Sequence, residues 1–155
     1  MAVDAGPALK LRAEDGEDLA VLSACLQDAL VAVHDLAYLA DEASFVLVAN
    51  RFRWENGVRP RAGEKGHQRV LCGVTFDTVA GVSYRGFRRS DEYRILCLLA
   101  IRSETDGPGR GAILLDFAGG AAIRLEIAAI RCRAKDLGEP WPTRWRPRHD
   151  PDELP

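Results

Sequence analysis

Ile113-Leu-Leu-Asp-Phe-Ala-Gly-Gly-Ala-Ala-Ile-Arg-Leu-Glu-Ile127 decides the fold class of this chain. Ile113, Leu115 and Phe117 recur at every second position, Gly119-Gly120 supplies a turn, and Ile123, Leu125 and Ile127 resume the alternation. Successive side chains of a strand point to opposite faces, so the pattern predicts an antiparallel hairpin with one apolar face. Upstream, beyond the turn residues Asp106-Gly-Pro-Gly-Arg-Gly111, Ile95 to Ile101 is an unbroken apolar run. Ile95, Cys97, Leu99 and Ile101 share one face there, and Leu96 and Leu98 between them predict a central strand covered on both sides.

Further upstream, Val70, Cys72, Val74 and Phe76 alternate, and Val79 follows after three residues rather than two, the register break of a β-bulge. Leu125-x-Ile127-x-x-Ile130 repeats Val74-x-Phe76-x-x-Val79, which suits either a duplicated β unit or two bulged strands of one sheet. Asn56-Gly57 opens a long polar loop that runs to about His67. Before it, residues 35–40 and 45–55 alternate around Asp41-Glu-Ala-Ser44 and are expected to pair as antiparallel neighbours. Only one segment has helical period: after the acidic, capping-type start Glu14-Asp-Gly-Glu-Asp18, Leu19, Leu22, Leu26, Leu30 and Val33 recur every three or four residues.

These readings predict an α+β fold, a mostly antiparallel curled sheet or small barrel of about six to seven strands with one N-terminal amphipathic helix. Residues 1–7 are expected to be disordered and 8–137 to form a single domain. Residues 138–155, rich in Pro, Trp and Arg, are expected to be an extended tail, since prolines oppose both helix and strand. Docking of that tail through Trp141, with Trp145, is expected over residues 138–146.

The composition, 47% hydrophobic and 28% charged, is that of a folded protein. No apolar run approaches the roughly 20 residues of a membrane span, and the start lacks a secretory pattern, so a cytoplasmic protein is expected. Cys25, Cys72, Cys97 and Cys132 stand apart among apolar residues with no metal-ligand spacing, and are expected to be reduced and buried. Gly107-Pro-Gly-Arg-Gly111 lies between strands and lacks the Lys and following helix of a phosphate loop. His34, His67 and His149 fall in a strand start, a loop and the tail, so none is placed as a general base. No cofactor, metal or catalytic residue is indicated, and the reading leans away from an enzyme without deciding the point.

Two arginine-aromatic clusters remain: Asn50-Arg-Phe-Arg-Trp54, and Trp141-Pro-Thr-Arg-Trp-Arg-Pro-Arg148. Arginine with aromatic rings can grip phosphates and stack on bases. Alternation within Arg51–Trp54 is read as Arg51 and Arg53 facing water with Phe52 and Trp54 beneath them. The candidate binding residues are therefore Arg51, Arg53, Trp54, Arg144, Trp145 and Arg146. Residues 51–102 carry eleven bases against five acids, but the net charge of −2 opposes a general affinity for nucleic acid.

Leu9-Lys-Leu-Arg-Ala-Glu-Asp15, Leu47-Val-Ala-Asn-Arg-Phe-Arg-Trp-Glu55 and Pro140-Trp-Pro-Thr-Arg144 together resemble a proteobacterial family, domain of unknown function 2948, over nearly the whole chain. The resemblance implies a bacterial cytoplasmic protein and brings no catalytic or binding residues with it. The expected function is a non-enzymatic binding or assembly module for a protein partner, self-association included. Nucleic-acid binding through the Arg-rich half is the alternative, and a small-molecule enzyme the third.

Overall fold

A computed structural model describes residues 8–54, 67–105 and 110–143. Strand β1 is Lys10–Ala13, helix α1 Gly16–Leu26, β2 Leu30–Ala32, β3 Leu36–Leu39, β4 Ser44–Phe52 and β5 His67–Phe76. There follow β6 Val79–Arg85, β7 Ile95–Thr105, β8 Gly111–Phe117, β9 Ala122–Ile127 and β10 Cys132–Thr143. The expected residues 1–7 and most of the 56–67 loop lie outside the described residues. Among the described residues ten strands, rather than six or seven, form one open antiparallel sheet in the order β1-β10-β5-β4-β2-β7-β8-β9-β6, with β3 also on β4.

The sheet curls until its two halves share one core. Phe45, Val74 and Phe76 pack in the same cluster as Ile113, Leu115, Ile123 and Leu125. At the far edge, the Val79 N–H donates to the Ala43 carbonyl at 2.8 Å and the Tyr38 hydroxyl to the Val79 carbonyl at 3.0 Å. These bonds tie β6 back to the β3–β4 turn.

The break between Phe76 and Val79 is a corner between two strands, not a bulge within one. β5 pairs with β10 and β6 with β9, so two long bent strands run antiparallel through the corner together. Asp77 N–H donates to the Arg131 carbonyl at 2.8 Å, and the Thr78 hydroxyl donates to the Ala129 carbonyl at 2.7 Å. Sharp bends of this kind let a strand pass from one packed layer to another. The similarity of the 74–79 and 125–130 motifs is thereby accounted for: both are strands of the same sheet turning the same corner.

The helix begins as expected, with the Asp15 side chain accepting from the Asp18 N–H at 2.8 Å and Asp18 accepting from the Glu14 N–H at 3.1 Å. One free N–H of the first helical turn, that of Asp18, and the N–H of Glu14 just before the cap are satisfied in this way. Leu19, Leu22 and Leu26 are buried against the sheet, and the Ser23 hydroxyl accepts from the Ile101 N–H at 2.9 Å. The helix stops at Leu26, short of the stripe that reaches Val33. Asp28 takes the left-handed conformation, φ 64°, and Leu30 goes into β2 instead. Asp and Asn adopt this conformation more readily than most residues, and it ends a helix.

Strand β7 also differs from expectation. Leu96 and Leu98 face the core, while Ile95 and Leu99 are exposed. A register shift between Leu98 and Ala100 then turns Ile101 inward. One bulge therefore explains why the apolar run lacks a single parity.

At the C-terminal end, β10 continues through Pro140 and Pro142 to Thr143, where the sequence predicts a tail that is no strand. A register shift between Leu137 and Trp141 precedes the pairing of Trp141 with Arg69. β1 pairs with β10 only from Cys132 to Lys135, so among the described residues the prolines sit on a free edge, where a missing N–H donor costs no ladder bond. Residues 141–143 are thus held by strand pairing, with Trp141 still 37% exposed.

Gly86 has φ 80°, and a Cβ there would lie 2.7 Å from the Gly120 carbonyl oxygen and 2.8 Å from Ala121 Cα. Gly119 has the same φ with open space around it. Gly86→Ala is expected to destabilise by about 2–4 kcal/mol in urea unfolding, and Gly119→Ala by about 1 kcal/mol, the backbone cost alone.

Candidate functional site

Arg51 does not face water. The core-facing positions of β4 are Phe45, Leu47 and Ala49, and the same alternation carries Arg51 inward, where it is fully buried. Its Nε donates to Asp136 Oδ1 and its Nη2 to Asp136 Oδ2, both at 2.7 Å. Asp136 lies on β10 and pairs with Cys72 of β5, which pairs with Ala49 of β4. The Arg51 side chain therefore spans the intervening strand. Asp136 also accepts from the Leu9 N–H at 2.8 Å, while its own N–H donates to the Leu9 carbonyl at 2.9 Å. Burial by itself pushes the Asp136 carboxyl up; the hydrogen bonds from Arg51 and Leu9, with the charges of Arg51 and Arg53, outweigh it and hold the group below its ordinary value.

Arg53 is buried as well, with Nη1 donating to Gln68 Oε1 at 2.7 Å and Nε facing no acceptor. Phe52, on the opposite face, is enclosed by Trp54, His67 and Arg69. The ring centroids lie 4.6 Å from Trp54 and 5.2 Å from His67, and the Arg69 guanidinium carbon stands 5.9 Å from the Phe52 centroid. Trp54 Nε1 donates to the Gln27 carbonyl at 2.9 Å beside the end of α1. Arg51, Arg53 and Trp54 thus come together at the end of β4, with both guanidinium groups under the surface. Arg144, Trp145 and Arg146 lie outside the described residues. Extending the parity of Phe45, Leu47 and Ala49 by one step would have found the burial of Arg51; Asp136, eighty-five residues away, left no local signal.

The two halves of the sheet differ on their outer faces. On β7, β8 and β9 that face carries a charge ladder: Arg102 to Asp116 at 2.7 Å, Arg102 to Glu104 at 3.3 Å, Arg124 to Glu104 at 3.1 Å and Arg124 to Glu126 at 2.7 Å. Exposed pairs of this kind contribute little stability and mark a face adapted to water. On the other half, cross-strand partners form a continuous row, Leu137–Leu71–Asn50–Leu30–Cys97, from β10 to β7. Ile95 and Leu99 of β7 and Trp141 of β10 flank it. Leu71 and Leu137 are each 41% exposed and Ile95 56%. Arg69 crosses this row, donating to the Asn50 carbonyl at 3.1 Å and to Asn50 Oδ1 at 3.2 Å.

Catalytic chemistry finds little support among the described residues. Burial pushes the thiols of Cys72 and Cys132 up to about 12, which leaves them protonated and unreactive, and no cysteine is in a disulfide. Cys25 and Cys97 are only half-buried, against the expectation of four buried thiols. Among the described residues, no three His, Cys, Asp or Glu stand where they could hold a metal ion. No described helix is long and apolar enough to cross a membrane.

One family model matches residues 9–149, that of Protein of unknown function (DUF2948). No curated protein and no solved structure matches the chain.

Asp136→Ala is expected to cost about 3–5 kcal/mol in urea unfolding, because it strands a buried guanidinium. Replacing both partners by apolar residues, Arg51→Met with Asp136→Leu, is expected to be far milder than either change alone. A carboxyl held low in the fold adds stability above its unfolded value, about 3.9, and that stability is lost as pH falls through the folded value. Wild type should therefore lose stability in acid more steeply than the double variant.

Proposed function

The chain belongs to the DUF2948 family of proteins of unknown function, and from that premise we propose that it is a non-enzymatic binding or assembly module whose partner is a protein. The observation that carries this reading is the cluster of exposed Leu137, Leu71, Ile95, Leu99 and Trp141 about the half-buried Leu30. Isolated apolar residues are ordinary on a protein surface, but apolar side chains clustered on one face, with the polar Asn50 and Arg69 among them, support an interaction surface. Its composition fits a protein interface, apolar and aromatic with an arginine beside it and few acids. The salt-bridge ladder on the opposite half offers a contrast within the same sheet, for that half is dressed for water.

Burial of Arg51 and Arg53 weakens the nucleic-acid alternative, because those guanidinium groups cannot meet phosphates from beneath the surface. Among the described residues, the exposed His34, the half-buried His67 beside Phe52 and the free cysteines lend the enzyme reading little support.

Leu71→Asp with Leu137→Asp places two charges at the β10 end of the row, at residues that are each 41% exposed. Affinity purification from cells of origin should recover a stoichiometric protein partner, or a second copy of the chain, with wild type and lose it with this variant at unchanged circular dichroism. A wild-type chain that sediments as a monomer and recovers no protein would overturn the reading.

A further inference from the structure

The corner where β5 passes into β6 and β9 leads to β10 is held more firmly than a surface turn requires. Thr78 has φ 58°, a conformation that β-branched residues rarely take. Its hydroxyl both donates to the Ala129 carbonyl, at 2.7 Å, and accepts from the Ala129 N–H, at 3.2 Å. Asp77 is fixed by Ser44, whose hydroxyl donates to Asp77 Oδ1 at 3.0 Å, and its other oxygen lies 3.6 Å from Arg133 Nε. Strained backbone secured in this way recurs at binding sites, where it fixes the position of functional groups.

Beside this corner is a cleft of about 440 Å³ lined by Arg12, Glu14, Asp77, Arg131, Cys132 and Arg133. Arg12 of β1 and Arg133 of β10 are direct cross-strand partners. Like charges directly opposed on neighbouring strands destabilise a sheet. Arg131 brings a third guanidinium to the same lining, and among the described residues the one ion pair within it is that of Arg133 with Asp77. The fold thus bears an electrostatic cost that an anion in the cleft would cancel.

We propose that this cleft binds a small phosphorylated molecule bearing hydroxyl groups, its phosphate held by Arg12, Arg131 and Arg133 and its hydroxyls donating to Glu14 and Asp77. A guanidinium matches phosphate oxygens two at a time, and the ionised carboxylates only accept hydrogen bonds. The volume lies within the range of small-molecule sites. Two carboxylates in the lining repel a phosphate chain running through it, so a discrete anion fits better than a nucleic-acid strand. The site is separate from the apolar row and does not depend on the protein-partner reading.

The test is titration of isotopically labelled full-length protein by nuclear magnetic resonance, with inorganic phosphate and glycerol 3-phosphate as probes and sodium chloride of equal ionic strength as control. Saturable shifts at Arg12, Asp77, Thr78, Arg131 and Arg133 are expected, with glycerol 3-phosphate binding more tightly than phosphate. Arg12→Ala with Arg133→Ala should weaken both by about tenfold or more, as the loss of charge-assisted bonds implies, and should unfold at the same or a higher temperature than wild type when no phosphate is present. Glu14→Gln should raise the affinity for inorganic phosphate, by removing a repelling charge, and narrow the advantage of glycerol 3-phosphate over it. Shifts that match the chloride control, equal binding by the double-arginine variant, or binding of a short oligonucleotide at these residues without any response to phosphate would each overturn the proposal.

Discussion

The bidentate pair of Arg51 with Asp136 is the interaction around which the first half of the sheet is organised. It reaches from β4 across β5 to β10, and through the Leu9 main chain it secures the start of β1. Neighbouring strands lie about 4.8 Å apart, so only a side chain as long as arginine can cross one strand to reach the next but one. The pair carries a heavy desolvation cost, which two parallel charge-assisted bonds and a backbone donor offset. What it supplies is register. A strand slipped by one residue would turn either charge outward and leave its partner alone in the core.

Where period and local turn chemistry governed the structure, the sequence was readable. The Asp15 cap, the pairing of β3 with β4 and the Gly119-Gly120 hairpin all rest on residues close in sequence. Readings that needed the third dimension came out differently. The register break at Asp77-Thr78 is visible in the sequence, yet whether it bulges one strand or divides two depends on β9 and β10, fifty residues away. The helix stripe through Leu30 and Val33 is sound arithmetic overridden by the turn at Asp28. Pro140 and Pro142 argue against a strand only if both its sides are paired. The same division holds for the candidate residues: Arg51 and Arg53 were legible as a cluster, but their burial follows from a carboxylate on a distant strand. The apolar row was invisible because each of its five members comes from a different segment.

One curled sheet with a single core gives the molecule an inside that is largely apolar and two outsides of unlike chemistry. The inside imposes its parity on every strand, and what remains for the outward positions is free to vary. On β7 to β9 those positions alternate in charge; across β10, β5 and β2 they include Leu137, Leu71 and Leu30, with Asn50 of β4 and Arg69 of β5 among them. The corner at Thr78 belongs to neither face. It lies where the sheet changes direction, so its surroundings are shaped by backbone geometry more than by side-chain packing.

The last residues of β10 have a bearing on how the sheet meets its surroundings. An unprotected strand edge is a template on which another extended chain can grow, the route by which sheet proteins seed fibres. Pro140 and Pro142 stand two apart and so leave their missing donors on the same side of the strand. Over 140–142 that side lacks the donors of an unbroken ladder and is a poor template for a further strand. Encounters at this end are steered away from edge-to-edge growth and toward contact through side chains, where Trp141 is the largest group on offer.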